Sequence, residues 1–243
     1  MSLSRVSVVF LLALLCVTAA GQNAPPSNST GPVRPQVADT IRASVYVDNW
    51  FLMYINGKPV AMSSIEFLPH HEVSVSLLPE YPMTIAILAK DNADPKTGIE
   101  YGNRTGDGGL ILKFSDGTVS NATWKAKVFF KGPLNGDLKD PRVEKIPLPA
   151  NWCRPEFNDR DWPQAKAYSL QEVNPNRIFT PDLFTGAQFI WSEDTKLDNT
   201  VIFRATIQKP GWKPRWSTQT EVANSRILED VFPARCLGVD AQR

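Results

Sequence analysis

The sequence predicts an all-β, mostly antiparallel fold, and three observations carry that expectation. Short runs rich in β-branched and aromatic residues recur along the chain, each bounded by turn-forming residues. Two of those boundaries are Asn56-Gly57 and Asp116-Gly117, dipeptides suited to tight turns because Asn and Asp tolerate positive φ and Gly adopts it freely. Twenty prolines among 243 residues interrupt the chain too often for long helices.

The first segment reads as an address. Residues 1–7 carry one positive charge, Arg5, ahead of an apolar run at 8–17 and the small residues 18–21, which is the order of a signal peptide over 1–20. A membrane anchor needs about 20 apolar residues, and nothing later in the chain is comparable. The expected product is therefore secreted and extracellular, with no membrane span. Residues 21–36 are rich in Pro, Ser, Asn and Gly and read as a flexible leader. The folded domain is expected over 37–208, with 209–243 as a C-terminal extension.

Within the domain, strands are predicted at 41–47, 50–55, 58–62, 73–78 and 83–90, the second and third joined by the Asn56-Gly57 turn. Residues 73–77 (VSVSL) alternate strictly, as a half-buried strand does. A second hairpin is expected where 109–114 meets the Asp116-Gly117 turn and continues over 119–130.

Composition narrows the function. Lys and Arg total 26 against 25 Asp and Glu, so there is no global field to gather nucleic acid, and 42% apolar residues supply material for a core. Asn28, Asn103 and Asn121 begin N-glycosylation sequons, which belong on exposed positions of a secreted chain. Removal of the signal peptide takes Cys16 and leaves Cys153 and Cys236, which read as one disulfide in an oxidising compartment or as two buried thiols.

Four phrases then occur in order: 48–60 (DNWFLMYINGKPV), 108–118 (GGLILKFSDGT) with 123–125 (TWK), 151–165 (NWCRPEFNDRDWPQA), and 189–192 (FIWS) with 200–207 (TVIFRATI). Together they resemble the galactose-binding-like jelly-roll modules that accompany extracellular β-galactosidases, rhamnosidases and other carbohydrate-active enzymes. The resemblance covers most of the chain after the leader. It implies an antiparallel β-sandwich that binds carbohydrate or glycoconjugate and does not cut it, and it makes a structural calcium possible. Trp152, Trp162, Trp191 and Phe203 fall inside these phrases, and rings of that size chiefly supply buried apolar area, so they are expected in the core.

Ligand contacts in a sandwich belong on the end loops. The longest polar, glycine-rich connection runs from 90 to 109 and brings together Asp91, Asn92, Asp94, Glu100, Tyr101, Asn103, Arg104 and Asp107. Tyr101 beside Asn103 and Arg104 offers a stacking ring with polar neighbours for a sugar, against the alternative of a solvated loop without a ligand. Asp91, Asp94 and Asp107, with Asn92, are hard oxygen donors of the kind Ca²⁺ takes in sets of six to eight, although their spacing is not that of an EF-hand.

Nothing in the chain assembles a recognisable catalytic motif. The only histidines are His70 and His71, and no nucleophile-elbow, zinc-protease or phosphate-loop phrase occurs. A glycosidase needs only two carboxylates; Glu66, Glu72, Asp159 and Asp161 can be nominated, with a turn-stabilising role favoured for Asp159 and Asp161. In the extension, Trp212 and Trp216 alternate with Lys213 and Arg215, either as an exposed patch for sugars or as rings packed over the sandwich and tied down by a Cys153 to Cys236 bridge. The sequence thus predicts a secreted, non-catalytic binding module that contacts ligand through Tyr101, Asn103, Arg104, Trp212 and Trp216. The alternatives are a structural extracellular-matrix or coat protein partnered by matrix proteins and, less favoured, a glycoside hydrolase.

Overall fold

The computed structural model describes residues 33–63, 72–175 and 179–217. The signal peptide, Asn28, Glu66, His70, His71 and Cys236 lie outside the described residues, as do most of the leader and most of the extension.

The chain forms an all-β sandwich of two antiparallel sheets with almost no helix. Its strands are β1 (Ile41–Asp48), β2 (Trp50–Ile55), β3 (Lys58–Met62), β4 (Val73–Leu77), β5 (Met83–Lys90), β6 (Gly109–Phe114), β7 (Lys125–Lys131), β8 (Glu144–Lys145), β9 (Lys166–Tyr168), β10 (Phe189–Trp191) and β11 (Asp198–Ile207). One sheet has the order β4-β1-β6-β10-β9 and the other β3-β2-β5-β11-β7-β8. A short α-helix, α1 (Leu170–Val173), opens with Ser169 accepting from the Glu172 N–H at 3.2 Å.

The β2–β3 hairpin turns where the sequence predicts it, with Asn56 and Gly57 at φ +49° and +77°. The predicted second hairpin forms only its first step. Gly117 sits at φ +92°, and the returning chain meets β6 through the Lys113 to Val119 bridge and the Ser120 to Leu112 backbone bond of 2.9 Å. The Ser120 hydroxyl then donates to the carbonyl of Gln188 at 2.7 Å, residues 121–124 turn away, and the strand that begins at Lys125 joins the opposite sheet beside β11. The run at 119–130 is therefore a crossover followed by a strand, not the second arm of a hairpin.

Strand alternation sorts the apolar residues into three layers. Between the sheets lie Val45, Val47, Phe51, Met53, Ile85, Ile87, Leu110, Leu112, Trp191, Val201 and Phe203, with the Trp191 and Phe203 ring centroids 5.5 Å apart. On the outer face of the six-stranded sheet, Leu52, Tyr54, Leu88, Phe129 and Ile202 are covered by residues 148–162, where Trp152 meets Tyr54 edge to face at 5.2 Å. On the outer face of the five-stranded sheet, Tyr46, Ile111 and Phe189 are covered by Val173 and Phe184. Burial on both faces explains why β2 and β5 read as nearly continuous apolar runs. Trp152, Trp191 and Phe203 are buried as the sequence predicts, and Trp162 is half-buried against Phe129 and Phe157.

The 151–165 segment is fastened by a buried cation. Arg204 on β11 is 2% exposed; its guanidinium donates to Asp159 at 2.7 Å, to the carbonyl of Arg154 at 3.1 Å and to the carbonyl of Trp152. Asp159 thus holds a covering segment onto the sheet, so its side chain serves a contact across to β11 where the sequence predicts a turn-stabilising role. Asp161 is exposed, and Glu72 accepts from the Thr180 N–H. No helix of the described residues is long and apolar enough to cross a membrane.

Candidate ligand-binding loop

A single residue, Asn49, separates β1 in one sheet from β2 in the other. Register then places Asp48 opposite Gly109 and Lys90 opposite both Trp50 and Thr200, so the end of β1, the end of β5 and the starts of β6 and β11 meet at one end of the sandwich. The 91–108 connection is built over that end.

Its path is fixed by local chemistry. Asp94 Oδ1 accepts from the N–H groups of Lys96 and Thr97 and from the Thr97 hydroxyl at 2.8, 2.9 and 3.0 Å, which holds its carboxyl below the usual range. Asp94 is exposed and spent on this turn. Gly98, at φ +70°, lies so close to Gly132 that a Cβ would fall 2.4 Å from its carbonyl carbon. The chain then folds back as a tight turn: the Glu100 N–H donates to the Arg104 carbonyl at 2.8 Å, and the Asn103 and Arg104 N–H groups donate to the Glu100 carbonyl at 3.2 Å.

This turn brings together three of the predicted contacts. Tyr101, at φ +47°, is 61% exposed, and the Arg104 guanidinium lies 4.9 Å from its ring centroid. Arg104 is held from beneath by Glu100, with Nε and Nη2 each 2.9 Å from Oε2. Asn103 is exposed beside them.

Glu100 is fully buried and is the residue that joins the turn to a second feature. Carboxylate oxygens of Asp91, Glu100 and Asp107 lie within 4.8 Å of one another. Asp91 accepts from the N–H of Asn92 at 2.7 Å and of Asp107 at 3.1 Å. Burial, reinforced by the charges of Asp107, Asp91 and Glu100, pushes Asp48 up to about 9. Burial and the charges of Glu100 and Asp107 push Asp91 up to about 8. Glu100 is raised by burial and by Asp107, against the pull of Arg104.

Two buried oxygens face this cluster without a hydrogen-bond partner, Glu100 Oε1 and Asn199 Oδ1. The Asn199 amide is oriented by its nitrogen, which donates to the carbonyls of Gly132 and Gly98 at 2.6 and 3.4 Å. A Cβ placed on Gly106 would lie 1.6 Å from Asp91 Oδ2 and 3.2 Å from Asn199 Oδ1, so both oxygens border the space that this glycine leaves open. Ligands on opposite sides of one Ca²⁺ stand about 4.6–5.2 Å apart, so the carboxylate trio fits around a single ion of that size. The residues fit a hard divalent cation, with Asp91, Glu100, Asp107 and Asn199 as donors. Of the predicted donors, Asp91 and Asp107 belong to this set and Asp94 does not. Glu100 entered the sequence reading only as a polar group of the loop, and Asn199, at the start of a strand, carries no local signal.

Trp212 and Trp216 lie at the other end of the sandwich. Trp212 packs edge to face on Tyr81 at 5.2 Å and on Trp216 at 6.0 Å, with Lys209 over the Tyr81 ring, so both indoles are half-buried against the domain. Arg215 is occupied by Asp39. The two groups of predicted ligand residues are therefore separate, and the second has the packed arrangement. Cys153 is half-buried, and the bridge predicted for it involves a partner outside the described residues.

That second end also carries an open groove of 630 Å³, bordered by the turn after β6, residues 121–125 and the last residues of β11. No family model, no curated protein and no solved structure matches this chain.

Proposed function

We propose that this chain is a secreted, non-catalytic binding module of galactose-binding-like type that recognises carbohydrate or glycoconjugate through the 100–104 turn. The observation that carries this reading is Tyr101. A large aromatic ring is held mostly in solvent on a constrained turn, with Arg104 against it, which is the arrangement that stacks on a sugar while neighbouring amide and guanidinium groups meet its hydroxyls. A rigid scaffold beneath the turn limits the ordering entropy that binding must overcome.

In the same reading Asp91, Glu100, Asp107 and Asn199 hold a divalent cation, for which calcium has the right size and ligand preference. When bound, the ion neutralises carboxylates that otherwise repel one another under the loop. Glu100 shares its two oxygens between that site and Arg104, so the cation steadies the turn that presents Tyr101. Depth argues against a glycosidase role for these carboxylates, because Glu100 and Asp91 are 0% and 7% exposed, beneath the reach of a glycosidic bond.

The test is capture of the full chain on an immobilised glycan panel, with calcium and with chelator, while light scattering is followed on the same sample. Saturable, selective capture that is lost in Tyr101→Ala is the expected result. A folded monomer that captures nothing, or one that assembles without glycan, overturns the reading and favours a structural matrix or coat protein.

A further inference from the structure

We propose that Asn121 is an N-glycosylation site and that its glycan lies in the groove between the turn after β6 and the end of β11. This rests on the reading of the chain as secreted, and it concerns the end of the sandwich opposite Tyr101.

Asn121 and Thr123 form a sequon, and both border the 630 Å³ groove. Asn121 Oδ1 accepts from the Thr123 N–H at 2.9 Å and from the Thr123 hydroxyl at 2.5 Å, which fixes the plane of the amide. Nδ2, the atom that receives a glycan, has only a long 3.5 Å contact to the carbonyl of Val119. In the transfer from a polyprenyl-diphosphate oligosaccharide, the Nδ2 to C1 bond forms, the C1 to diphosphate oxygen bond breaks, one Nδ2 proton leaves and the lipid diphosphate departs. The product keeps one N–H on Nδ2.

The groove suits what is attached. Alternation along β11 puts Arg204, Thr206 and Gln208 on one side of the strand, and all three border the groove. Arg204 is engaged by its own partners, and the exposed Gln208 presents its amide to the hydroxyls of a sugar; the hydroxyls of Thr206, which meets Thr84 Oγ1 at 3.2 Å, and of Thr118, which meets Asp116, keep lone pairs that can accept from it. The volume lies within the range of about 300–1,000 Å³ typical of small-molecule sites. What the groove lacks is an exposed ring, since Trp124 is 2% exposed. A free saccharide has no stacking platform there, and tethering substitutes a high effective concentration for intrinsic affinity. Asn103 differs in lying within the exposed 101–104 turn at the opposite end of the sandwich.

The full chain is expressed in a eukaryotic secretory host, once with its own leader and once with a host leader. Recovery from the medium with the native leader tests the address; the second preparation tests the glycan whatever the first shows. Site-resolved mass spectrometry is expected to find the oligosaccharide on Asn121. Enzymatic removal is expected to lower the melting temperature by about 2–4 °C, equally in Asn103→Gln, and not in a Thr118→Ala, Gln208→Ala double variant that keeps its glycan. Molecules glycosylated at Asn103 but not at Asn121 overturn the site. An occupied Asn121 whose glycan can be removed with no change in melting overturns the groove.

Discussion

Glu100 occupies the position on which both halves of the loop depend. One of its oxygens binds Arg104 through two N–H groups, and the other is buried and free of hydrogen bonds beside Asp91 and Asp107. Neighbouring Gly106 shows how little room the arrangement leaves. Gly106→Ala puts a methyl group onto Asp91 and is expected to weaken calcium binding by about 10-fold or more, read by titration calorimetry. Asp94→Asn is expected to leave that affinity unchanged, because the Asp94 oxygen serves its own turn. Tyr101→Ala removes a ring that is 61% exposed; urea unfolding is expected to shift by less than about 0.5 kcal/mol while glycan capture disappears. The sequence showed Asp91 and Asp107 as oxygen donors because a polar loop advertises them. It did not separate them from Asp94, because which carboxylates converge depends on a turn closed by Arg104 and on Asn199, which arrives from another strand.

At the scale of elements, two fastenings hold the covering segments. Arg204 ties residues 151–165 to β11 through Asp159 and two backbone carbonyls. Arg204→Ala strands those acceptors and is expected to cost about 3 kcal/mol in urea unfolding, at the low end for a buried pair because Asp159 keeps some access to water. At the far end, burial raises the Asp116 carboxyl, but the hydrogen bonds from Tyr81 and the Thr118 N–H and the nearby Lys209 outweigh it and hold the group below its ordinary value. A folded pKa below the unfolded one contributes stability above about pH 4 that is lost as pH falls through the folded value. Asp116→Asn is therefore expected to melt below wild type at about pH 6, with the gap closing as pH falls through the folded value, as followed by circular dichroism. The β2–β3 hairpin was legible because its turn chemistry is local. The path of 119–130 was not, because an apolar run serves a hairpin arm or a crossover equally well and its pairing is settled by distant β11.

Over the whole molecule, the sandwich arises because each sheet buries both its faces, one against the other sheet and one beneath an irregular covering layer. The inner layer could be read from the strand pattern. Of the outer layers only Trp152 and Trp162 could be read, since residues 148–162 and 179–189 otherwise carry no periodicity and acquire their place by packing. The same topology sends the ends of β1 and β5 and the starts of β6 and β11 to one end, which is why a loop of ordinary appearance stands over a dense group of buried carboxylates. The direct measurement is a calorimetric titration of calcium into the chelator-treated full chain. One saturable site, a higher melting temperature with the ion bound, and loss of both in Asp107→Asn are expected. A folded protein that takes up no calcium and melts at the same temperature with and without it would show that the carboxylates under the loop hold no ion.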